Sequence, residues 1–379
     1  MYLNIHALTA VPAANLNRDD TGRPKVVEMG GAARLRLSSQ SLKRALRNSA
    51  AFQAFSGRAT RSRLFERDIT KHLVSECGVA QPAAERAAAA VLAAIVSKKG
   101  AKAAAAAKAA KPRKKATQAE VEAEEQDDAG DGEAAAGDDK SGQLLFLSPR
   151  EIERARDLAK RLAKGEAVTP KADDILLATT AAVDLAMFGR MIANQPAYNV
   201  DAAVQVAHAV TTHRSLVQDD YFTAVDELQP RDAEEGGGAG HVSEAGFGTG
   251  VFYIYASVNV PLLIRNLGGD ARLAKRAVAA LVRALPVTLP GRHQNSFAAH
   301  VPASFMMVER ASSPLSLVGV FYRPLAGTDL VTASAEALRR HREEIAAVYG
   351  ANGDTASFQI GGKGTLADLV ALAEQAVPA

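Results

Sequence analysis

Hydrophobic residues recur along this chain with the two spacings that distinguish strands from helices. Alternation over Tyr2–Val11 predicts a buried strand, and a shorter alternating run predicts a second strand at Ala33–Leu37. Apolar residues at intervals of three and four predict helices in several later segments. These helical segments are about Thr60 to Ile95, then Pro149–Ala163, Asp173–Met191 and Val200–Thr211.

The second half of the chain continues with strands separated by helices. The strand patterns YFTAVDEL (221–228) and VFYIYASVNV (251–260) flank a glycine-rich stretch at 231–250, which is typical of a long hairpin with a loose tip. Beyond them we predict helix Asp270–Leu285, paired strands Ser304–Val308 and Leu315–Tyr322, and helix Ala333–Tyr349 before a polar tail. This order indicates an α+β or α/β domain with helical insertions.

Residues 98–142 differ in kind from the rest of the chain. Lys98–Lys115 holds eight basic and no acidic residues, whereas Gln118–Lys140 holds ten acidic residues and one lysine. Such a low-complexity block has almost nothing to bury, so we expect a flexible insertion. The basic half could contact nucleic acid, but a solvated linker is the simpler interpretation.

Composition excludes several classes of protein. The chain has 379 residues, of which 47% are apolar, and a formal charge of +3, so any site for a polyanion must arise from local clustering. Cys77 is the single cysteine, which excludes an intramolecular disulfide and a cysteine-based zinc site. Neither a secretory leader nor a membrane-spanning run is apparent, and we expect a soluble cytoplasmic protein without a membrane partner.

The segment RLRLSSQSLKRALR (34–47) carries the strongest candidate chemistry, because a short strand runs directly into a basic helix. Ser38 or Ser39 can cap that helix. Four polar side chains follow at spacings of three and four and therefore share one helix face: Gln40, Lys43, Arg44 and Arg47. Free N–H groups, hydroxyls and cations together favour an anion, above all phosphate. A solvated basic face is the alternative.

The rest of the sequence contains no complete motif of a familiar enzyme class. The glycine run 246–250 precedes a strand instead of opening a helix, so it is not a dinucleotide-binding motif. Asp19 and Asp20, beside Arg18, could hold Mg²⁺ or act in acid–base chemistry on RNA. Adjacent carboxylates in a loop more often pair with a nearby arginine or cap a turn.

Several motifs, in this order along the chain, resemble those of one family. They are NRDD (17–20), the Gly30–Gly31 pair, RLSSQSLKR (36–44), Val183-Asp184, Gly189-Arg190-Met191, AHAVTTH (207–213), YFTAVDEL (221–228) and GVFY (250–253). The chain is similar in them to the backbone subunit of type I-E CRISPR Cascade, the CasC family. The resemblance spans residues 2 to about 260 and weakens toward the C-terminus, and the insertion at 98–142 departs from it.

The resemblance implies an α+β fold shaped like a hand. An RRM-like, ferredoxin-like palm would carry a helical fingers insertion and a β-hairpin thumb. The corresponding boundaries are 1–54 for the first part of the palm and 55–198 for the fingers, which include the charged insertion. Residues 199–250 would form a helix and the thumb hairpin, and 251–379 the second part of the palm with a C-terminal helix.

The resemblance also implies a function in antiviral defence. Copies of the subunit would polymerise along one CRISPR RNA and let a target DNA strand pair with it, without being an enzyme. Base pairing would supply specificity, and the protein would contact phosphate and ribose. Further partners would be other Cascade subunits and, through the complex, a recruited helicase-nuclease. Neither a cofactor nor a metal is expected.

Matching positions assign site residues within this resemblance. Arg18, Ser38, Gln40, Lys43 and Arg47 would line the RNA groove. Met191, Phe222, Thr223 and Val242 would lie near a displaced nucleotide, where apolar side chains cover an unstacked base. Ordinary core packing is the alternative for Met191 and Phe222. A second candidate function is a metal-dependent RNA endonuclease that uses Asp19 or Asp20.

Overall fold

The computed structural model describes residues 1–96, 143–225, 239–291, 297–350 and 353–378, and at 222–225 and 239–244 it describes the backbone alone. The charged insertion predicted at 98–142 and most of the predicted thumb tip lie outside the described residues. Within the described part no helix is both long enough and apolar enough to cross a membrane. The fold is a mixed α+β fold on an antiparallel sheet, which confirms the predicted class.

A large antiparallel sheet organises the chain. Its strands are β1 (Tyr2–Ala14), β2 (Val26–Met29), β3 (Ala32–Leu37), β6 (Val204–Val206), β7 (Ala209–Thr211), β8 (Gln218–Val225), β9 (Ala239–Asn259), β10 (Phe305–Ala311) and β11 (Thr355–Gln359). The order across the sheet is β11-β10-β1-β9-β7-β3-β2, with β6 and β8 also paired to β9. Strand β1 lies in the middle, where Tyr2 is opposite Ala311 on one side and Asn259 on the other.

Both faces of the sheet are covered, so its central strands are buried on both sides. In β9, Ile254 and Ala256 pack into a core with Leu42 of the basic helix, whereas Tyr253 and Tyr255 pack into the opposite core. This two-residue alternation is the strand period that the sequence shows. The helices that cover the two faces are α1 (Ser39–Asn48), α2 (Ala50–Gln53), α7 (Val260–Asn266), α8 (Ala271–Ala284), α9 (Leu330–Tyr349) and α10 (Leu366–Gln375).

A second cluster of buried residues forms a helical unit. It consists of α3 (Phe65–Ser75), α4 (Gln81–Val96) and α5 (Pro149–Ala163), beside a two-stranded ribbon of β4 (Thr60–Ser62) and β5 (Leu145–Leu147). A short helix, α6 (Val183–Phe188), joins this unit to the sheet core. A buried ion pair, Glu151–Arg190 at 2.8 Å, ties α5 to the segment after α6.

Several predicted elements differ from the observed ones. The helix predicted over Val200–Thr211 is wrong, because β6 and β7 pair there with β9. Of the helix predicted over Asp173–Met191, α6 and a 3₁₀ turn at Ala172–Asp174 form. The predicted strand Leu315–Tyr322 is a loop with a 3₁₀ turn, and β10 pairs instead with β1 and β11. The predicted polar tail contains β11 and α10.

Candidate nucleic-acid interface

The joint between β3 and α1 is built by a helix cap that a neighbouring loop holds in place. Ser38 is the N-cap residue, and its hydroxyl accepts a hydrogen bond from the Ser41 backbone N–H at 3.3 Å. The Ser38 N–H donates in turn to the side-chain oxygen of Asn17 at 2.7 Å. A cap of this kind satisfies donors that a helix start leaves free. The predicted cap is therefore confirmed, with Ser38 as the capping residue.

The structure does not support the predicted RNA contact by Ser38. The residue has no exposed surface, and both its hydroxyl and its N–H already bind within the chain. Asn17, which sequence reasoning did not single out, is also buried and orients the joint. Its position before Arg18 in the NRDD motif was the available signal.

The outer face of α1 presents the polar side chains that the spacing predicts. Gln40 and Lys43 are partly exposed and Arg44 is exposed, whereas Leu42 and Leu46 are buried in the core below. The side-chain amide oxygen of Gln40 lies 3.1 Å from the Ser39 hydroxyl. This face offers an amide and two cations, which are groups that can contact the phosphates and sugars of an anionic strand.

Arg47 belongs to this helix face by spacing but makes contacts inside the chain. Its guanidinium Nε lies 3.2 Å from the Asp184 carboxylate, and the guanidinium also lies over the Phe146 ring at 4.4 Å. The Asp184 carboxylate accepts a further hydrogen bond from the Ala59 N–H at 2.9 Å. Arg47 therefore joins α1 to α6 and β5, and its contact with phosphate stays a prediction.

The loop between β1 and β2 contains the two candidate catalytic carboxylates. One oxygen of Asp19 accepts hydrogen bonds from the Thr21 N–H, the Thr21 hydroxyl and the Arg23 N–H, at 2.9, 2.7 and 3.0 Å. Slight desolvation acts to raise the pKa of Asp19, but these hydrogen bonds outweigh it and hold the pKa below its ordinary value. Asp19 thus caps a turn, and Asp20 is exposed beside it.

A groove of about 660 Å³ runs along this loop. It is lined by Asp19 and Asp20 and by three cationic residues that sequence reasoning missed, Arg23, Lys25 and Arg36. Arg18 is partly buried in the same loop, where its backbone pairs with Pro24. In the described part of the chain no three His, Cys, Asp or Glu side chains come together as a metal site.

A hydrogen bond and an ion pair join the base of the β8–β9 hairpin to this loop. The Asn15 side-chain amide donates to the Gly246 carbonyl at 2.8 Å, and Arg23 makes an ion pair with Asp219 at 2.8 Å. A Cβ atom on Gly246 would lie 2.9 Å from Pro24, and one on Gly248 would lie 2.6 Å from the Leu35 side chain. The glycines at 246 and 248 therefore allow close packing within a strand.

The predicted thumb residues lie in two separate places. Thr223 and Val242 are direct partners in the β8–β9 ladder, and Phe222 is opposite Ser243. Met191 follows α6 and its exposed fraction is 53%, so it is not a core residue. The hairpin is confirmed at backbone level, and an exposed Met191 is available to a ligand.

Two solved structures and one family model are similar to this chain over nearly its full length. The chain aligns over its full length with a chain of a "CRISPR RNA-guided surveillance complex, pre-nicking", at 30% identity and a TM-score of 0.77, covering 99% of that chain. A second structure, titled "CRISPR RNA-guided surveillance complex", aligns at 26% identity and a TM-score of 0.68, again over 100% of this chain and 99% of the other. The comparison with curated proteins gave no match. Residues 3–376 match the family described as CT1975-like protein. With nearly every residue inside that match, the chain belongs to the CT1975-like protein family.

Proposed function

We propose that this chain is a CRISPR RNA-binding backbone subunit of a Cascade complex of type I-E, the CasC kind. The observation that carries the proposal is its full-length similarity, at 30% identity, to a chain of an RNA-guided surveillance complex. Similarity that includes both the sheet and the helical unit favours the same role in a complex over a shared fold alone.

The α1 face and the groove along the β1–β2 loop supply the chemistry. Gln40 and Lys43 on α1, with Arg18, Lys25 and Arg36 beside it, place cationic and amide groups around one region of the surface. Such groups neutralise phosphates and bind ribose, so they hold a guide of any sequence. Ser38, Asn17 and Arg47 act from within by fixing the position of α1.

Polymerisation extends this proposal from one subunit to a filament. Further copies bind along the same CRISPR RNA, and the β8–β9 hairpin with Met191 covers a displaced nucleotide while the target DNA strand pairs with the rest. Other Cascade subunits complete the complex, which recruits a helicase-nuclease in antiviral defence. Several copies on one RNA raise the effective affinity of each, so a modest net charge is sufficient.

Co-expression with a CRISPR RNA tests the proposal. Full-length protein should co-purify with the RNA and protect it from ribonuclease at regular intervals, and light scattering should show several copies per RNA. Lys43→Ala should lower the salt dependence of RNA binding by about 0.7 in log–log slope, whereas Arg272→Ala on α8 should not change it. A chain that neither retains RNA nor assembles on it would refute the proposal.

An RNA endonuclease remains the second candidate because Asp19 and Asp20 line the groove beside three cations. The non-catalytic function is favoured, since Asp19 already accepts three hydrogen bonds within its turn. The assembled complex is incubated with complementary RNA and Mg²⁺. Regular cleavage that is lost in Asp19→Ala or Asp20→Ala would establish the nuclease, and intact RNA supports the scaffold.

A further inference from the structure

Arg23 lines the groove along the β1–β2 loop, and both ends of this residue are held in place. Its backbone N–H donates to the Asp19 carboxylate at 3.0 Å, and its carbonyl accepts from the Asp19 N–H at 2.8 Å. At the other end, the guanidinium nitrogen Nη2 lies 2.8 Å from each carboxylate oxygen of Asp219 on β8. The long side chain therefore extends from the loop to the hairpin in a defined orientation.

The contact with Asp219 uses only part of the Arg23 guanidinium. An arginine side chain carries five N–H donors, and within the described part of the chain Nη2 is the guanidinium nitrogen of Arg23 that makes hydrogen bonds. The Arg23 side chain is 52% exposed, so the donors on Nη1 and Nε can reach a ligand in the groove. Phosphate oxygens are well suited to accept from such donors.

The exposure of the Arg23–Asp219 pair indicates what the pair contributes. An exposed ion pair adds little to stability, because water screens the attraction and two side chains lose freedom. The two side chains are 52% and 39% exposed, so this pair is of that kind. Its effect on orientation is larger, since an arginine that a carboxylate already holds loses less rotamer freedom when it binds a ligand. The pair therefore suits ligand binding better than support of the fold.

Asp19 acts on Arg23 through the backbone. One oxygen of its carboxylate accepts from the Thr21 N–H, the Thr21 hydroxyl and the Arg23 N–H. These bonds fold the turn from which the Arg23 side chain projects, whereas the carboxylate that binds the guanidinium is that of Asp219. Asp19 of the NRDD motif is therefore a positioning residue in this arrangement.

The same ion pair connects two parts of the proposed RNA site. Arg23 belongs to the loop that carries Lys25, and Asp219 lies at the start of the β8–β9 hairpin that carries Thr223 and Val242. A ligand bound by Arg23 therefore contacts the loop directly and the base of the hairpin through Asp219.

We propose that Arg23 is a further contact to the guide RNA, and that its guanidinium binds a phosphate of the strand while Asp219 and the Asp19 turn hold it in position. The inference rests on the proposed function and adds a residue to which the family resemblance gives no role. A phosphate of the target DNA strand is the other source of the same chemistry. An ion pair that only fastens the hairpin is the alternative without a ligand.

The first test measures binding of a fluorescent single-stranded RNA to the full-length protein by anisotropy over a series of salt concentrations. Arg23→Ala should lower the log–log salt slope by about 0.7, the value for one lost phosphate contact. Arg161→Ala should leave the slope unchanged and is the matched control, because Arg161 on α5 is 54% exposed and makes a 2.7 Å ion pair with Glu166. An unchanged slope in Arg23→Ala, with Lys43→Ala still lowering it, would overturn the contact and leave the proposed function intact.

Asp219→Ala tests the positioning of Arg23 in the same assay. The variant removes a negative charge beside the groove, so charge alone predicts tighter RNA binding. Loss of the fixed Arg23 orientation predicts the opposite, a dissociation constant about 2- to 10-fold higher with an unchanged salt slope. Asp220→Ala, which removes an exposed carboxylate at the next position of β8, should not weaken binding. Tighter binding by Asp219→Ala would refute the positioning by this carboxylate.

Two further outcomes decide between the contact and its alternatives. Equal losses of RNA affinity in Arg23→Ala and Asp219→Ala, with both salt slopes unchanged, would show that the pair only fastens the hairpin. A slope that is unchanged for RNA but falls when complementary DNA binds the assembled complex would assign Arg23 to the target strand and overturn the guide contact. Absence of RNA binding by the unmodified protein would reject both the contact and the proposed function.

Discussion

Replacing Arg47 with alanine should destabilise the fold far more than it weakens RNA binding. The Arg47 side chain is 19% exposed and its partner Asp184 is 2% exposed, so the pair is largely withdrawn from water. The variant would leave the Asp184 carboxylate buried with the Ala59 N–H as its remaining donor among the contacts described above. It would also remove the guanidinium that lies over the Phe146 ring.

The magnitude follows from this burial. Removing one partner of a buried ion pair costs about 3–5 kcal/mol, because the other charge remains buried without compensation. Arg47 retains some exposure, which places the expected loss near the lower end, at about 3 kcal/mol. Since α1 carries Gln40, Lys43 and Arg44, its outer face should keep most of its affinity wherever the variant is folded.

Urea unfolding followed by circular dichroism measures the stability, since the chain has no tryptophan for fluorescence. Asp184→Asn is the matched variant, because an amide oxygen can still accept from the Ala59 N–H. Combining it with Arg47→Ala removes the uncompensated carboxylate, and the double variant should recover about 1–2 kcal/mol relative to additivity.

RNA binding at several salt concentrations completes the experiment. A folded Arg47→Ala protein should show the salt slope of the unmodified protein. If stability instead changed by less than about 0.5 kcal/mol while the slope fell by about 0.7, Arg47 would be a phosphate contact and the structural assignment would be wrong.

Three further perturbations test other parts of the fold. Burial, with Arg342 nearby, lowers the pKa of His6 to about 3, so below pH 6.5 the unfolded chain binds a proton that the native chain does not. The free energy of unfolding should therefore fall by up to about 1.4 kcal/mol per pH unit between pH 6 and 4. His6→Gln should flatten that dependence in urea unfolding measured over this pH range. Gly30→Ala would place a Cβ 1.7 Å from the Tyr322 carbonyl oxygen, whereas Gly31 has the same left-handed backbone but open space around it. Gly30→Ala should therefore lower the urea midpoint clearly more than Gly31→Ala. Equal losses would show that Tyr322 moves aside. Arg190→Met leaves the Glu151 carboxylate buried without its cation and should lower the free energy of unfolding in urea by about 3–5 kcal/mol. Adding Glu151→Gln should recover part of that stability. A loss below about 1 kcal/mol would mean that the pair is not buried in solution.

The sequence predicted those elements whose pattern is local. Strand β1, helix α1 with its serine cap, and helices α5 and α8 lie where periodicity and capping residues place them. In α5, the predicted segment Pro149–Ala163 is the observed helix, because Ser148 and Glu151 form a capping box and the proline suits the first turn.

The sequence pattern did not predict the strands whose pairing partners are distant along the chain. Alanine and valine residues in and around two segments suggested a helix there. These segments, Val204–Val206 and Ala209–Thr211, instead pair with β9, which supplies the ladder hydrogen bonds. The apolar–polar–apolar order of Val204, Gln205 and Val206 was the signal for a strand, and their burial follows it. Strand β11 depends in the same way on β10, from which it is separated by the whole of α9.

For the site, helix periodicity placed four polar residues on one face but could not assign their partners. Arg47 and Asp184 are 137 positions apart, and no local pattern joins them. Ser38 was ambiguous for a different reason, because a serine that caps a helix and a serine that binds phosphate occupy the same position at a helix start. Burial in the folded chain separates the two roles.

Strand β9 is continuous from the sheet centre into the hairpin, and this limits how the chain can change in length. Residues Val251–Asn259 pair with β1, and 239–247 pair with β8. One inserted residue between these two stretches would shift the hairpin register against the sheet by one position, which reverses the face of every residue beyond it. We expect natural variants of this chain to change length at the hairpin tip, or within β9 by two residues at a time.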